Sequence, residues 1–363
     1  MFTLLPLVEW LLQVATTIFN KRRAPRLTYH LPNSLQYWPW ARAINPHLDE
    51  FHDESILWLA QFNAFDPDAL ASFKKGRFTL LTALGYPESS AFTFRSVCDL
   101  MNLFFAIDEL TDDEPLDIVI QRCDATMDAI LHPDIPRPNG ENALGEMARQ
   151  FWKRASDGEP MSAGVVQRFQ TTWRQNLDSV IAQAERRGTH YICKPDEYIA
   201  ARRDNIGTLP CFVWIEQCLG LDLPDAVMQH PLIKTLHENV SDMVFMTNDT
   251  CSYRKEVLAN DCDYNMVTVI ITHLDTDLPG AIQWISDYQD RSVQSFMRAR
   301  QAIMERTEGT SQWSDEHHKQ VLRYIDGLAV FVRGHDEWYF ESRRYFGEKG
   351  EEVKRTRKVV IEQ

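Results

Sequence analysis

Eleven stretches in which apolar residues recur every three to four positions follow one another along this chain, with little strand-like alternation between them: 48–62, 66–85, 92–112, 117–131, 141–156, 162–187, 195–218, 231–258, 263–273, 279–308 and 313–346. That spacing gathers the apolar side chains on one side of a helix, which must then pack against a neighbour. The interruptions carry helix breakers, notably His132-Pro133-Asp134-Ile135-Pro136-Arg137-Pro138-Asn139-Gly140 and Asp157-Gly158-Glu159-Pro160. Proline removes a backbone donor and blocks the preceding turn; glycine leaves the chain free to bend. Only 15 of 363 residues are glycine, no Ser/Gly linker divides the chain, and there is no internal repeat. With 44% hydrophobic residues, a chain of this length buries a large core. The expectation is one all-α domain, too large for a simple four-helix bundle.

A net charge of −14 argues against nucleic acid as a partner, because phosphate backbones are met by basic stripes. An anionic ligand would have to be neutralised locally by metal ions and a few Arg and Lys side chains. The seven cysteines show neither a CxxC pair nor zinc spacing. With no clear secretion signal, they read as reduced, mostly buried thiols of a cytoplasmic protein. Residues 1–19 are apolar but contain Pro6 and Glu9, and Lys21-Arg22-Arg23 follow. The stretch is short for a membrane span and lacks the basic start of a signal peptide. Residues 1–25 therefore read as an N-terminal extension, a packed helix or loose arm in preference to an amphipathic helix lying on a membrane. The domain proper spans 26–350, and 351–363 reads as a charged C-terminal tail. Monomer and homodimer both fit.

Two acidic motifs carry the chemistry. The first, Asp108-Glu109-Leu110-Thr111-Asp112, closes the apolar run Leu100-Met101-Asn102-Leu103-Phe104-Phe105-Ala106-Ile107. The second is Asn248-Asp249-Thr250-Cys251-Ser252-Tyr253-Arg254-Lys255-Glu256. A helix turns about 100° per residue, so Asp108 and Asp112 share a face, as do Asn248, Ser252 and Glu256. Two such helices facing each other would hold divalent cations, and oxygen-only ligation favours Mg²⁺ or Mn²⁺ over zinc. The competing frame Asp112-Asp113-Glu114-Pro115-Leu116-Asp117 is weaker, because Pro115 pushes Glu114 out of the helical region. Solvated acidic helix faces would explain either motif alone; the complete second motif beside the first is harder to explain that way.

The pair resembles the motifs of class I terpene synthases, lyases that ionise an isoprenoid diphosphate. Their Asp-(Asp/Glu)-x-x-(Asp/Glu) is matched by Asp108, Glu109 and Asp112. Their Asn-Asp-x-x-Ser-x-x-x-Glu is matched in full by Asn248, Asp249, Ser252 and Glu256, with Lys255 before the Glu. The likeness runs over roughly residues 30–346. It includes Leu31-Pro32-Asn33-Ser34-Leu35, Trp38-Pro39-Trp40, Asn45-Pro46-His47 and Cys98-Asp99-Leu100-Met101-Asn102-Leu103-Phe104-Phe105. It is closest to the basidiomycete sesquiterpene synthases whose members often close the farnesyl chain between carbons 1 and 11, as protoilludene synthases do.

The resemblance implies a class I terpenoid synthase α-domain of about 11–13 helices around a central apolar cavity. Asp108, Asp112, Asn248, Ser252 and Glu256 would hold three Mg²⁺ ions, with Mn²⁺ able to substitute. The substrate would be farnesyl diphosphate and the released product diphosphate. The family's diphosphate-contacting Arg falls on Arg203, 45 residues before Asn248 and four before Gly207, with Arg202 the fallback. Some relatives place an acidic relay before that Gly, where this chain has Ile206. The family's C-terminal Arg-Tyr pair falls on Arg344 and Tyr345. Together with Lys255 these side chains would hold the diphosphate. Phe105, Trp214 and Trp338 would line the pocket and face the cation. Rival readings are a 1,10-cyclising synthase, a chain-elongating prenyltransferase, which would carry a second Asp-rich motif, and a helical interaction protein that kept the motifs by descent.

Overall fold

The computed structural model describes residues 27–362, apart from 188 and 190. The expectation for residues 1–25 therefore lies outside the described residues. Among these there are fourteen helices: α1 Leu48–Ala60, α2 Pro67–Lys75, α3 Phe78–Gly85, α4 Ala91–Thr111, α5 Leu116–Leu131, α6 Ala143–Ser156, α7 Ala163–Arg187, α8 Pro195–Asn205, α9 Thr208–Cys218, α10 Pro231–Ala259, α11 Met266–Leu274, α12 Leu278–Met304, α13 Asp315–Glu341 and α14 Gly350–Thr356, with a single helical turn at Asp225–Met228. Short polar side chains start many of them. Asp66 accepts from the amides of Asp68 and Ala69 at α2, Ser90 from Thr93 at α4, Asn265 from Val267 at α11 and Ser314 from His317 at α13. Each satisfies an amide that the first helical turn leaves without a partner.

Two stretches read as single helices are broken. The stretch 66–85 divides at Arg77, which adopts a left-handed conformation (φ 49°). The stretch 195–218 divides at Gly207 (φ 75°), where the missing Cβ would lie 3.2 Å from the Phe104 ring. A left-handed residue cannot continue a right-handed helix. The 313–346 stretch ends at Glu341, and Ser342 is extended (ψ 163°), so Arg344 and Tyr345 lie in irregular backbone.

The long helices α10 and α12 pack side by side, and α13 packs against α3, α10 and α12. At Gly334 the backbones of α13 and α3 touch: a Cβ there would lie 2.6 Å from the Leu84 carbonyl carbon. One hydrophobic core runs through these helices, and several of their buried ends open into a central cavity.

The segment expected to be a charged tail is built into the domain. Strand β2, Lys358–Ile361, pairs antiparallel with β1, Leu27–His30, in the register Leu27↔Ile361 and Tyr29↔Val359. Val359, Ile361 and Tyr29 are buried. The clip grips α10: Tyr29 Oη donates to the Thr250 carbonyl (2.9 Å) and Arg254 Nε to the Val360 carbonyl (2.9 Å). Alternating burial within Lys358-Val359-Val360-Ile361 outweighs the charges before it. Lys354 and Arg357 find acidic partners in Glu337 and Asp336 of α13.

Candidate active site

The C-terminal half of α4 fixes one wall of the cavity. Leu100, Leu103 and Ala106 point into the core. Met101, Phe104, Phe105, Asp108, Thr111 and Asp112 line the cavity instead, as helical periodicity requires. The cavity has a volume of about 530 Å³, within the range of specific small-molecule sites. Its opposite wall is the C-terminal half of α10, which contributes Val244, Asn248, Asp249, Ser252, Lys255 and Glu256. The α8–α9 break adds Arg202, Ile206, Gly207 and Thr208; α13 and the segment after it add Phe331, His335, Trp338, Tyr339, Arg344 and Tyr345. Of the residues expected at the site, Asp108, Asp112, Asn248, Ser252, Glu256, Lys255, Arg344, Tyr345, Phe105, Trp338 and Gly207 thus meet in one space.

Two do not. Arg203 turns away and forms a bidentate pair with Asp242 (2.8 Å from both Nε and Nη2), with Glu238 at 3.2 Å. Consecutive helical residues diverge by about 100°, and the pairing of Arg203 with Asp242 and Glu238 leaves the cavity to the other arginine. That one is Arg202, 46 residues before Asn248. Its Nη2 donates to Asp249 (3.0 Å) and Asn248 (3.3 Å), and its guanidinium lies 5.8 Å from the ring centres of Phe245 and Tyr264. Trp214 is buried in a separate aromatic cluster with Phe151 and Phe169 (centroids 5.8 and 6.1 Å). On α9 the cavity face ends one turn earlier, at Cys211.

At the mouth Arg344 reaches across to the first motif, with Nη1 3.0 Å from Glu109 and Nη2 3.6 Å from Asp108. Its guanidinium lies over Phe105 and Phe78 (5.3 and 5.7 Å), which stack on each other at 3.6 Å. Asp108 and Asp112 keep about half their side-chain surface open (50% and 49%). Enclosure by surrounding protein raises both carboxyls; their proximity adds to this at Asp112, while Arg344 pulls Asp108 down. On α10, burial pushes Glu256 up to about 7, against hydrogen bonds from Ser252 and Asn265. Asn265 Nδ2 holds its Oε2 at 2.8 Å. Tyr345 Oη accepts from Asn248 Nδ2 (3.1 Å).

These oxygen donors fit a hard divalent cation: carboxylates gathered on facing rims of one cavity are groups that a bound cation would stabilise. Among the described residues, no three His, Cys, Asp or Glu side chains form a closed cage. The donors are split between two rims, which leaves room for an anion to share the coordination.

Sequence reasoning underrated Asp249. It accepts from Tyr198 Oη (2.7 Å), Arg202 Nη2 (3.0 Å) and the Met266 amide (2.9 Å), joining α8, α10 and the start of α11. Its place inside the motif was visible; its partners were not. The mouth also carries Arg186 and Arg187 of α7, the latter 3.9 Å from Asp112. No helix among the described residues is long and apolar enough to cross a membrane.

Comparison with known proteins agrees with this geometry. Residues 99–295 match the family described as terpene synthase family 2, C-terminal metal binding, a span holding both acidic motifs. A Delta(6)-protoilludene synthase of Stereum hirsutum (strain FP-91666) is 40% identical over 351 residues, 96% of this chain and 92% of that protein. A Delta(6)-protoilludene synthase of Armillaria gallica is 38% identical over 331 residues, 91% of this chain and 93% of that protein. The crystal structure of linalool/nerolidol synthase from Streptomyces clavuligerus in complex with 2-fluorogeranyl diphosphate superposes with a TM-score of 0.72 at 20% identity, over 85% of this chain and 99% of that one. At that identity the likeness speaks for the fold. A cavity between two oxygen-donor rims, on a chain that aligns with these proteins over nearly its whole length, leads to one conclusion: this chain belongs to the terpene synthase family.

Proposed function

We propose that this chain is a Mg²⁺-dependent sesquiterpene cyclase that ionises farnesyl diphosphate, cyclises the allylic cation and releases diphosphate. The observation that carries this reading is the convergence of Asp108 and Asp112 on one rim and Asn248, Ser252 and Glu256 on the other, over an apolar cavity with Arg202, Lys255, Arg344 and Tyr345 at its mouth. Bound Mg²⁺, three ions by family resemblance, would neutralise the diphosphate and make it a better leaving group.

The chain's own residues do the rest. Arg202 presents a charge already aligned by Asp249, and Arg344 exchanges its carboxylate partners for phosphate oxygens as negative charge develops. Tyr345 adds a neutral donor. Phe105, Trp338, Phe331 and Tyr339 exclude water from the interior, which protects a cation from early quenching. Their ring faces stabilise positive charge by roughly 0.5–2 kcal/mol each. The named relatives support 1,11-closure to a protoilludene-type hydrocarbon in preference to 1,10-closure.

The test is incubation of the purified chain with farnesyl diphosphate and Mg²⁺, following diphosphate release and identifying the hydrocarbon by gas chromatography–mass spectrometry. Release that is Mg²⁺-dependent and abolished by EDTA is expected, with Mn²⁺ restoring part of it. Release that persists in EDTA, or none at all with Mg²⁺, rejects the reading.

A further inference from the structure

The ionisation chemistry gives no role to His335, yet this side chain lines the cavity. It lies toward the floor. Along α4, Met101 comes seven residues before Asp108, about 10 Å down the helix axis. Along α13, Phe331 and His335 precede Trp338 and Tyr339, which in turn precede the mouth residues Arg344 and Tyr345. Phe331 packs into the core against Tyr86 and Phe212 (5.7 and 5.9 Å). His335 is the one imidazole among the described residues that line the cavity.

Its tautomer is set by geometry. Nδ1 lies 2.9 Å from the Phe331 carbonyl oxygen. A carbonyl can only accept, so Nδ1 carries the hydrogen and Nε2 carries the lone pair. Burial, opposed by the Phe331 bond, holds the ring's pKa down to about 4, so it is uncharged at neutral pH. A charged ring there would oppose a hydrocarbon cation; a neutral one does not.

We propose that His335 is the base that ends the reaction, taking the proton whose loss converts the last cyclic carbocation into an alkene; this rests on the cyclase reading above. The C–H bond beside the cationic carbon breaks, and its electron pair becomes the second bond of the new C=C. The proton adds to Nε2, giving imidazolium. Hydrogens beside a carbocation are strongly acidic, so a base of low pKa is sufficient. For the same reason the imidazolium, poorly solvated in an apolar cavity, gives its proton to water when the product leaves. The neutral ring is then restored.

The test uses His335→Asn, which keeps an N–H for the Phe331 carbonyl, and His335→Gln, which places a non-basic amide toward the cavity. Each is incubated with farnesyl diphosphate and Mg²⁺. Diphosphate release should persist, while the share of the wild-type alkene falls by about a hundredfold, the lower end of what losing a general base costs. Isomers with the same rings and a displaced double bond, or the corresponding alcohols, should replace it. The proposal is overturned if either folded variant keeps the wild-type alkene share, if the ring skeleton itself changes, or if release collapses in both folded variants. Absence of release from the wild-type chain would instead remove the cyclase reading.

Discussion

Arg202 and Arg203 are neighbours in sequence with different surroundings, and replacing each by glutamine separates their roles. Arg203→Gln removes two hydrogen bonds of 2.8 Å from Asp242, whose side chain is only 3% exposed. Tyr288 Oη still reaches that carboxylate at 3.2 Å, and the Arg203 side chain is 28% exposed. Removing one partner of a fully buried ion pair costs about 3–5 kcal/mol, and the residual donor and solvent access bring this to about 2–3 kcal/mol. At roughly 2 °C per kcal/mol for a domain of this size, the midpoint falls by about 4–6 °C. Mg²⁺-dependent diphosphate release by the folded protein should stay within about threefold of wild type, since the side chain lies outside the cavity. Arg202→Gln also lowers stability, because buried Asp249 loses its charged partner while keeping Tyr198 and the Met266 amide. Its distinguishing effect is kinetic: loss of one charge-assisted contact to the leaving group should slow release by about 10²–10³, or 3–4 kcal/mol. Melting curves and steady-state release on the same preparations decide the matter. If folded Arg203→Gln lost a hundredfold in release while Arg202→Gln stayed active, the assignment of Arg202 to the diphosphate would be wrong.

Four further outcomes are expected. Asp108→Ala and Glu256→Ala should each abolish Mg²⁺-dependent release and leave far-ultraviolet circular dichroism unaltered; near-wild-type release from either would remove it from the metal site. Phe105→Leu should redistribute the hydrocarbon products more than it changes KM, because the ring faces the cavity interior below Asp108; an unaltered product profile would place the cation elsewhere. His237 is half-buried and bonded to Tyr324 Oη (2.8 Å), and removal from solvent lowers its pKa from 6.5 to about 4. Because the fold resists its protonation, its stabilising contribution is full above pH 6.5 and is lost as the pH falls toward 4, up to about 3 kcal/mol. His237→Gln should therefore flatten the acid limb of the stability curve by nearly one proton, which denaturant melts at pH 4.5 and 7 would detect. Deleting residues 358–363 should lower the melting temperature and raise the Mg²⁺ concentration needed for half-maximal release, because the clip holds α10 through Thr250 and Arg254, between metal-motif residues; an unchanged Mg²⁺ requirement would make the clip purely structural.

The helical fold and the shared face of the acidic side chains in each motif are legible in the sequence, because both depend on spacings within one helix. Apolar residues three and four apart mark a buried stripe, and Asp108 with Asp112, or Asn248 with Ser252 and Glu256, share a face whatever else the chain does. Resemblance extended that reading to Arg344 and Tyr345, and the irregular backbone after Ser342 lets both consecutive side chains reach the cavity. What remained illegible depends on contacts between distant elements. Only the packing of α8 against α10 decides that Arg203 meets Asp242 and leaves Arg202 to the cavity. Only the depth of the cavity decides that Trp214 belongs to the Phe151–Phe169 cluster. The pairing of 27–30 with 358–361 joins residues more than 300 positions apart, where no local spacing gives a signal. A helical pattern states which residues share a face; what that face meets is set by the neighbouring element, and so by the tertiary structure alone.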